Sequence, residues 1–267
     1  MTANPNDVVS LLIVNIDNAP PTQYDTVFKA AAIDSLAFAP ESSPIQASSW
    51  PTLGSLIDSG KRLVVFLDNQ ANIAVVPYLI DEFTNIWETA FNVVDPALFD
   101  CSVNRTKGDT ATQMYLINHF LDKIFFGQPV PDVANANVTN AASGPGSLGA
   151  HVDTCVAINT RAPNFLLVDV SSESFSQFNV DPYCLLFVKF YEYGGGSVFE
   201  VAASINQVTY TPTSPIATPV PTTGAAAPSG SSKAGNSNSA FSMSPRTHVL
   251  ESLGVVAGIA FGAYAVL

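Results

Sequence analysis

Four apolar runs in this chain each lead into polar groups that can bind a ligand or move a proton. Asp7–Ile16 (DVVSLLIVNI) carries Asn15 and runs into Asp17, and Arg62–Leu67 (RLVVFL) runs into Asp68. Met114–Ile117 (MYLI) runs into Asn118 and His119, and Asn164–Val168 (NFLLV) runs into Asp169. Carboxylates held close raise one another's pKa, and one of them can orient a histidine for acid and base work. Taken singly, each aspartate reads better as a cap for a helix or turn. Taken as a set with His119, the residues Asn15, Asp17, Asp68, Asn118, His119 and Asp169 read as a pocket. Cys101, Cys155 and Cys184 show no spacing that resembles a zinc site, so no metal is expected.

The elements that must position these groups follow from the hydrophobic pattern. Near-continuous Val/Ile/Leu runs suit parallel strands covered on both faces. Helical patterns lie between them at Thr22–Ile33, at Thr52–Asp58 between Pro51 and Gly60, and at Val75–Glu88. Strands alternating with helices predict an α/β fold. In α/β barrels the chemistry sits where strands end. Only about four strands are legible, whereas a closed barrel needs eight in about 250 residues, so part of the domain is expected upstream of Met1. Trp50 and Trp87 read as core, and His151 reads as structural. The glycines at 194–196, before a helical pattern at Ser197–Ile205, read as a turn rather than an anion site.

Composition narrows the classes. The 267 residues carry 22 acids against 10 bases, a formal net charge of −12 that excludes a nucleic-acid partner. Hydrophobic residues make up 47%, enough to bury a core over residues 1–210. Residues 211–240 are almost wholly Ser, Thr, Pro, Ala and Gly, with Lys233 their sole charge. They read as a stalk of the O-glycosylated kind or a plain linker. Residues 241–267 fit a glycolipid-anchor signal: attachment at Asn238 before Ser239-Ala240, a spacer Phe241–His248 and an apolar tail Val249–Leu267. Gly235 and Asn236 are alternative attachment sites, and a marginal membrane helix is the alternative reading of the tail. The start of the chain shows no secretory signal, so either the tail is not an anchor signal or the true N-terminus lies upstream. Two sequons, at Asn104 and Asn137, mark glycosylation sites of a secreted chain.

The blocks NPNDVVSLLIVNID, WPTLGSLIDSGKRLVVFLD, MYLINHFLD, RAPNFLLVD and GGGSVFEVAA resemble fungal phospholipase C-like phosphodiesterases over roughly residues 4–205. These are similar to the X domain of phosphatidylinositol-specific phospholipase C. The resemblance implies a TIM-type (β/α)8 barrel of which this chain holds the C-terminal part. It implies lipid metabolism, with cleavage of an inositol phospholipid or related phosphodiester by two histidines and no cofactor. Both histidines lie upstream of the NPNDVV block, so the chain lacks its general acid and base and is expected to be inactive. His119 matches neither and is carried over as pocket lining. Asp169 matches the aspartate that orients the first histidine. Asn15 stands where calcium-dependent members place a carboxylate, which favours a metal-free site.

A phosphate substrate also wants cations nearby. Among loops that follow the four strands, before the departing segment described next, Lys123 is the single one found. Lys61, Arg62, Arg105, Lys107 and Arg161 lie in segments leading into strands and are expected at the opposite end. One segment departs from the resemblance: deleting Val170–Lys189 restores the pattern as LVDFYEYGGGSVFEVAA. Twenty codons bounded by a GTAAGT-type start fit a retained intron, and a surface insertion is the alternative. Cys184 falls inside it, which leaves Cys101 and Cys155 as the even pair, hence a disulfide, that a secreted domain prefers. The sequence therefore predicts a secreted, membrane-anchored, phospholipase C-like protein. The alternative is a non-catalytic cell-surface protein or a truncated gene product.

Overall fold

The computed structural model describes residues 4–169 and 198–211. Strand β1 (Val9–Ile13) leads into helix α1 (Pro21–Ala30), which starts on Pro21, the position where a missing N–H costs nothing. Helix α2 (Leu53–Asp58) follows Pro51 and is capped by Thr52, whose hydroxyl accepts the Ser55 N–H at 3.2 Å. Then come β2 (Leu63–Leu67), β3 (Leu79–Asp81), the single helical turn α3 (Glu82–Asn85) and β4 (Ile86–Glu88). Next are β5 (Met114–His119), a hairpin of β6 (Asp122–Phe125) and β7 (Gln128–Pro131), α4 (Ala136–Thr139), α5 (Leu148–Asn159) and β8 (Phe165–Val168). Helix α6 (Val198–Ile205) lies beyond the undescribed stretch.

Among the described residues, the strands do not close into a barrel. They form two open parallel sheets, ordered β1-β2-β3 and β4-β5-β8, together with the antiparallel β6-β7 hairpin. This overturns the (β/α)8 expectation while keeping the α/β character. The physical reason lies at Glu82–Asn85. There the chain turns through α3 instead of continuing as one strand, so β3 pairs with β2 and β4 pairs with β5. Among the described residues, β1 and β8 each have one strand neighbour. The Val75–Glu88 helix expected from the pattern is likewise replaced by β3, α3 and β4.

Alternation along β2 sets the layering. Leu63, Val65 and Leu67 face one core with Ile13, Leu79 and Phe28 of α1. Val64 and Phe66 face another with Ile80, Ile86, Met114, Leu116 and Phe165, so residues of both sheets share one apolar interior. Trp50, Leu53 and Leu56 pack into that interior, and the Trp50 and Phe165 rings lie 5.7 and 5.8 Å from the Phe66 ring. The outer face of the second sheet buries Trp87, Tyr115, Ile117 and Val168 under Leu148, Val152 and Cys155 of α5 and Val201 of α6. Trp87 stacks on Tyr115 at 4.7 Å.

Cys101 and Cys155 are joined, linking the loop after β4 to α5. The β6-β7 hairpin turns on Phe126 and Gly127, both at positive φ (47° and 79°), and presents Ile124, Phe125 and a 91% exposed Phe126 to solvent. The segment 170–189 with Cys184, the glycines at 194–196, the stalk beyond Thr211 and the tail 241–267 with Asn238 lie outside the described residues.

Candidate functional site

The polar residues at the C-terminal strand ends gather into three hydrogen-bonded knots. At the ends of β1 and β2, the Asn15 backbone N–H donates to Asp68 Oδ1 at 2.8 Å. The Asn15 side chain is spent on its neighbours. Its Nδ2 donates to Ala19 O at 2.9 Å, and its Oδ1 accepts from the Ala19 N–H and the Tyr24 hydroxyl, both at 2.8 Å. Asn15 therefore holds the turn after β1 together, while Asp17 projects into solvent.

The second knot follows β3 and β4. Glu82 is 1% exposed and lies beside Glu88, which is as deeply buried. Burial, then the hydrogen bond and charge of Glu88, push the Glu82 carboxyl up to about 10, so it keeps its proton at neutral pH. Its Oε1 has no hydrogen-bond partner. Glu88 meets the Arg105 guanidinium, whose Nε donates to its Oε2 at 3.0 Å, and also accepts from Asn118 Nδ2 at 3.2 Å. Asn118 is fixed in turn by Thr89, through O and Oγ1, both at 2.9 Å.

The same corner carries two cations. The loop between β4 and β5 doubles back beside Glu88, where Glu88 N–H donates to Arg105 O at 3.0 Å and Asn104 N–H to Glu88 O at 2.8 Å. Arg105 is thus delivered to the strand ends, over the faces of Phe83 and Phe91 at 4.9 and 4.3 Å. Lys107 reaches Asp81 Oδ2 at 2.9 Å and Asp68 O at 3.3 Å. Their side chains remain 42% and 46% exposed, so both keep donors toward solvent. The sequence reading put both at the opposite end, because a position in the chain before β5 does not reveal a loop that folds back. It also passed over Asp81, Glu82 and Glu88, which it had placed inside a helix. Lys123 instead pairs with Asp132 along the hairpin at 3.6 Å.

The third knot follows β5 and β8. Asp169 accepts the Leu121 N–H at 3.0 Å, and its backbone is bracketed by the Asn140 side chain at 2.9 and 3.1 Å. Burial raises its carboxyl to about 7. No described histidine touches it. His119 and His151 turn instead toward each other, Nδ1 to Nδ1 at 2.9 Å, beneath the Phe99 ring. Burial, reinforced by the facing ring, lowers His119 to about 3, and burial lowers His151 as well.

Asn15, Asp68, Asn118, His119 and Asp169 thus share one end of the sheets without converging in a single pocket. Two clefts on the inner face are mainly apolar, one of them between β1 and β8 and lined by Ser10, Leu12, Phe66 and Phe165. Asn104 and Asn137 of the sequons are both exposed. The arrangement can do two things chemically. Arg105 and Lys107 can donate to a phosphate oxygen, and Glu82 holds a proton beside the Glu88 side chain.

A family model described as PI-PLC X matches residues 1–177. Over 175 residues the chain is 43% identical to PI-PLC X domain-containing protein 1 of Arthroderma benhamiae, covering 65% of this chain and 57% of that protein. Over 217 residues it is 39% identical to an uncharacterized secreted protein of the same fungus, covering 78% and 44%. The chain spans about half the length of these curated relatives. No solved structure gives a significant match.

Proposed function

The chain belongs to the PI-PLC X domain family, and from that premise we propose a phospholipase C-like protein that engages a phosphodiester without cleaving it. The observation that carries this reading is the withdrawal of both described histidines. His119 and His151 are buried against each other and bonded to backbone carbonyls. Neither is free to take a proton from a substrate hydroxyl or return one to a leaving oxygen. What remains accessible at the strand ends is Arg105 and Lys107, the side chains that suit a phosphate. The ligand is an inositol phospholipid or related diester, by family. The extracellular setting is supported by the relative named as secreted and by the Cys101–Cys155 bond, of a kind that persists in oxidising compartments. Attachment to a membrane through residues 241–267 completes the proposal. No helix among the described residues is long and apolar enough to cross one.

The test is a pair of assays on the full chain. Titration with a soluble inositol phosphodiester should show binding that weakens severalfold in Arg105→Gln and in Lys107→Gln. Incubation with phosphatidylinositol vesicles should release no inositol phosphate. Turnover that disappears in Glu82→Gln would overturn the non-catalytic reading, and absence of binding in the parent chain would overturn the ligand.

A further inference from the structure

The His119–His151 pair poses a problem of proton counting. His119 Nε2 lies 2.9 Å from Thr139 O, and His151 Nε2 lies 2.8 Å from Asp100 O. A carbonyl oxygen only accepts, so each Nε2 must carry the hydrogen. In neutral rings both Nδ1 atoms are then bare lone pairs, and they face each other at 2.9 Å. Two acceptors at that separation need something positive near them. A third proton would leave an unpaired charge among buried groups, which is costly.

The disulfide lies beside this pair. Cys101 Sγ, Cys155 Sγ and a ring nitrogen of His151 all lie within 4.8 Å of one another, and all three residues are buried. His151 and Cys155 sit one turn apart on α5, so they share a helix face. His119, at the end of β5, lies outside that set of three and meets it through His151, Nδ1 to Nδ1 at 2.9 Å, so it must shift with the sulfurs to become a fourth donor.

We propose that Cys101, Cys155, His151 and His119 form a tetrahedral zinc-class metal site, closed while the disulfide is intact and assembled when it is reduced. Three observations meet in this assignment. Tetrahedral zinc with nitrogen bonds of about 2.0–2.1 Å holds two nitrogens about 3.3 Å apart, close to the spacing already present. Both imidazoles donate their other N–H to a backbone carbonyl, the outer contact that fixes a metal-binding tautomer. Two thiolates, two neutral imidazoles and a divalent cation sum to zero charge, which suits a buried position. Sequence spacing misses such a site because its four residues come from a loop, a strand end and a helix.

The chemistry balances with a phosphine as reductant. The phosphine takes oxygen from one water and becomes a phosphine oxide. The two sulfurs receive the electron pair and that water's two protons as the S–S bond breaks. The metal then displaces both thiol protons to the buffer. Each sulfur must also swing away until the two stand about 3.8 Å apart, from zinc–sulfur bonds of about 2.3 Å.

The experiment uses the tag-free full chain carrying Cys184→Ser, so that no third thiol competes. Anaerobic titration with Co2+ reads coordination directly, because tetrahedral thiolate-bound cobalt has intense visible and thiolate charge-transfer bands. The reduced chain should take up one Co2+, release it to Zn2+, and show those bands, whereas the oxidised chain should show none. His119→Gln and His151→Gln should each weaken uptake at least tenfold, and the Cys101→Ser/Cys155→Ser pair should abolish the charge-transfer band. If reduction loosens the fold, far-ultraviolet dichroism should recover on adding the metal. The proposal fails if the reduced parent binds no Co2+, if dichroism lost on reduction does not return with the metal, if the oxidised parent binds equally, or if His119→Gln leaves affinity and spectrum unchanged.

Discussion

Glu82 keeps its proton because its carboxyl lies away from water and against the Glu88 side chain. This has a measurable cost. The unfolded chain releases that proton near 4.5 and the folded chain near about 10, so across that interval the unfolded state binds fewer protons and stability falls as pH rises. The contribution is complete below 4.5 and gone above about 10. Asp169, raised to about 7, acts with the same sign but is exhausted by then. The lowered histidines act at still lower pH, being fully favourable above their ordinary 6.5. Between pH about 7 and about 9 the slope therefore belongs largely to Glu82. Melting temperature should decline across that range in the parent chain and stay nearly level in Glu82→Gln. An equally steep decline in the variant would show that Glu82 is ionised in the fold.

Element boundaries were legible where one hydrophobic period prevailed. The runs ending at Leu67 and Val168 are strands to within a residue or two, and α2 starts where Pro51 and Thr52 place it. The segment Val75–Glu88 misled because Val76, Leu79, Ile80, Phe83, Ile86 and Trp87 satisfy helical spacing, yet all are buried in a loop, two short strands and one turn. Pairing with β2 and β5 decided that segment, and pairing is not written locally. Helix α5 went unread because apolar residues lie nearly all round it. Its seating depends on Gly149, whose N–H donates to Ala141 O at 3.2 Å and whose Cα abuts the Ala142 backbone. A methyl group there would land on the Ala142 carbonyl. Gly149→Ala should destabilise the chain by more than about 2 kcal/mol in urea unfolding, against the gain of about 1 kcal/mol that alanine brings to an unobstructed helix. A neutral or stabilising result would mean that α5 sits farther from the 141–142 turn.

At the scale of the whole molecule, the period of the strands established parallel sheets covered on both faces, and such sheets can be open as well as closed. The expectation of a barrel rested on the alternation of strands and helices as well as on the resemblance, and α3 is where the structure departs from it. Charge is the other molecular property that sequence alone delivers. A net charge of −12 makes the compact state repel itself, and the exposed ion pairs at Lys29, Lys107 and Lys123 among the described residues offset little of it. Raising ionic strength from low to physiological values should therefore raise the melting temperature. A fall would mean that the pairs at Arg105 and Lys107 outweigh the repulsion. The bond between Cys101 and Cys155 spans 54 residues, and the bare phenylalanines of the β6-β7 turn lie within that span. A protease that cuts after aromatic residues should nick the turn first and yet release nothing. The nicked protein would run as one band on a non-reducing gel and as two pieces once the thiols are freed.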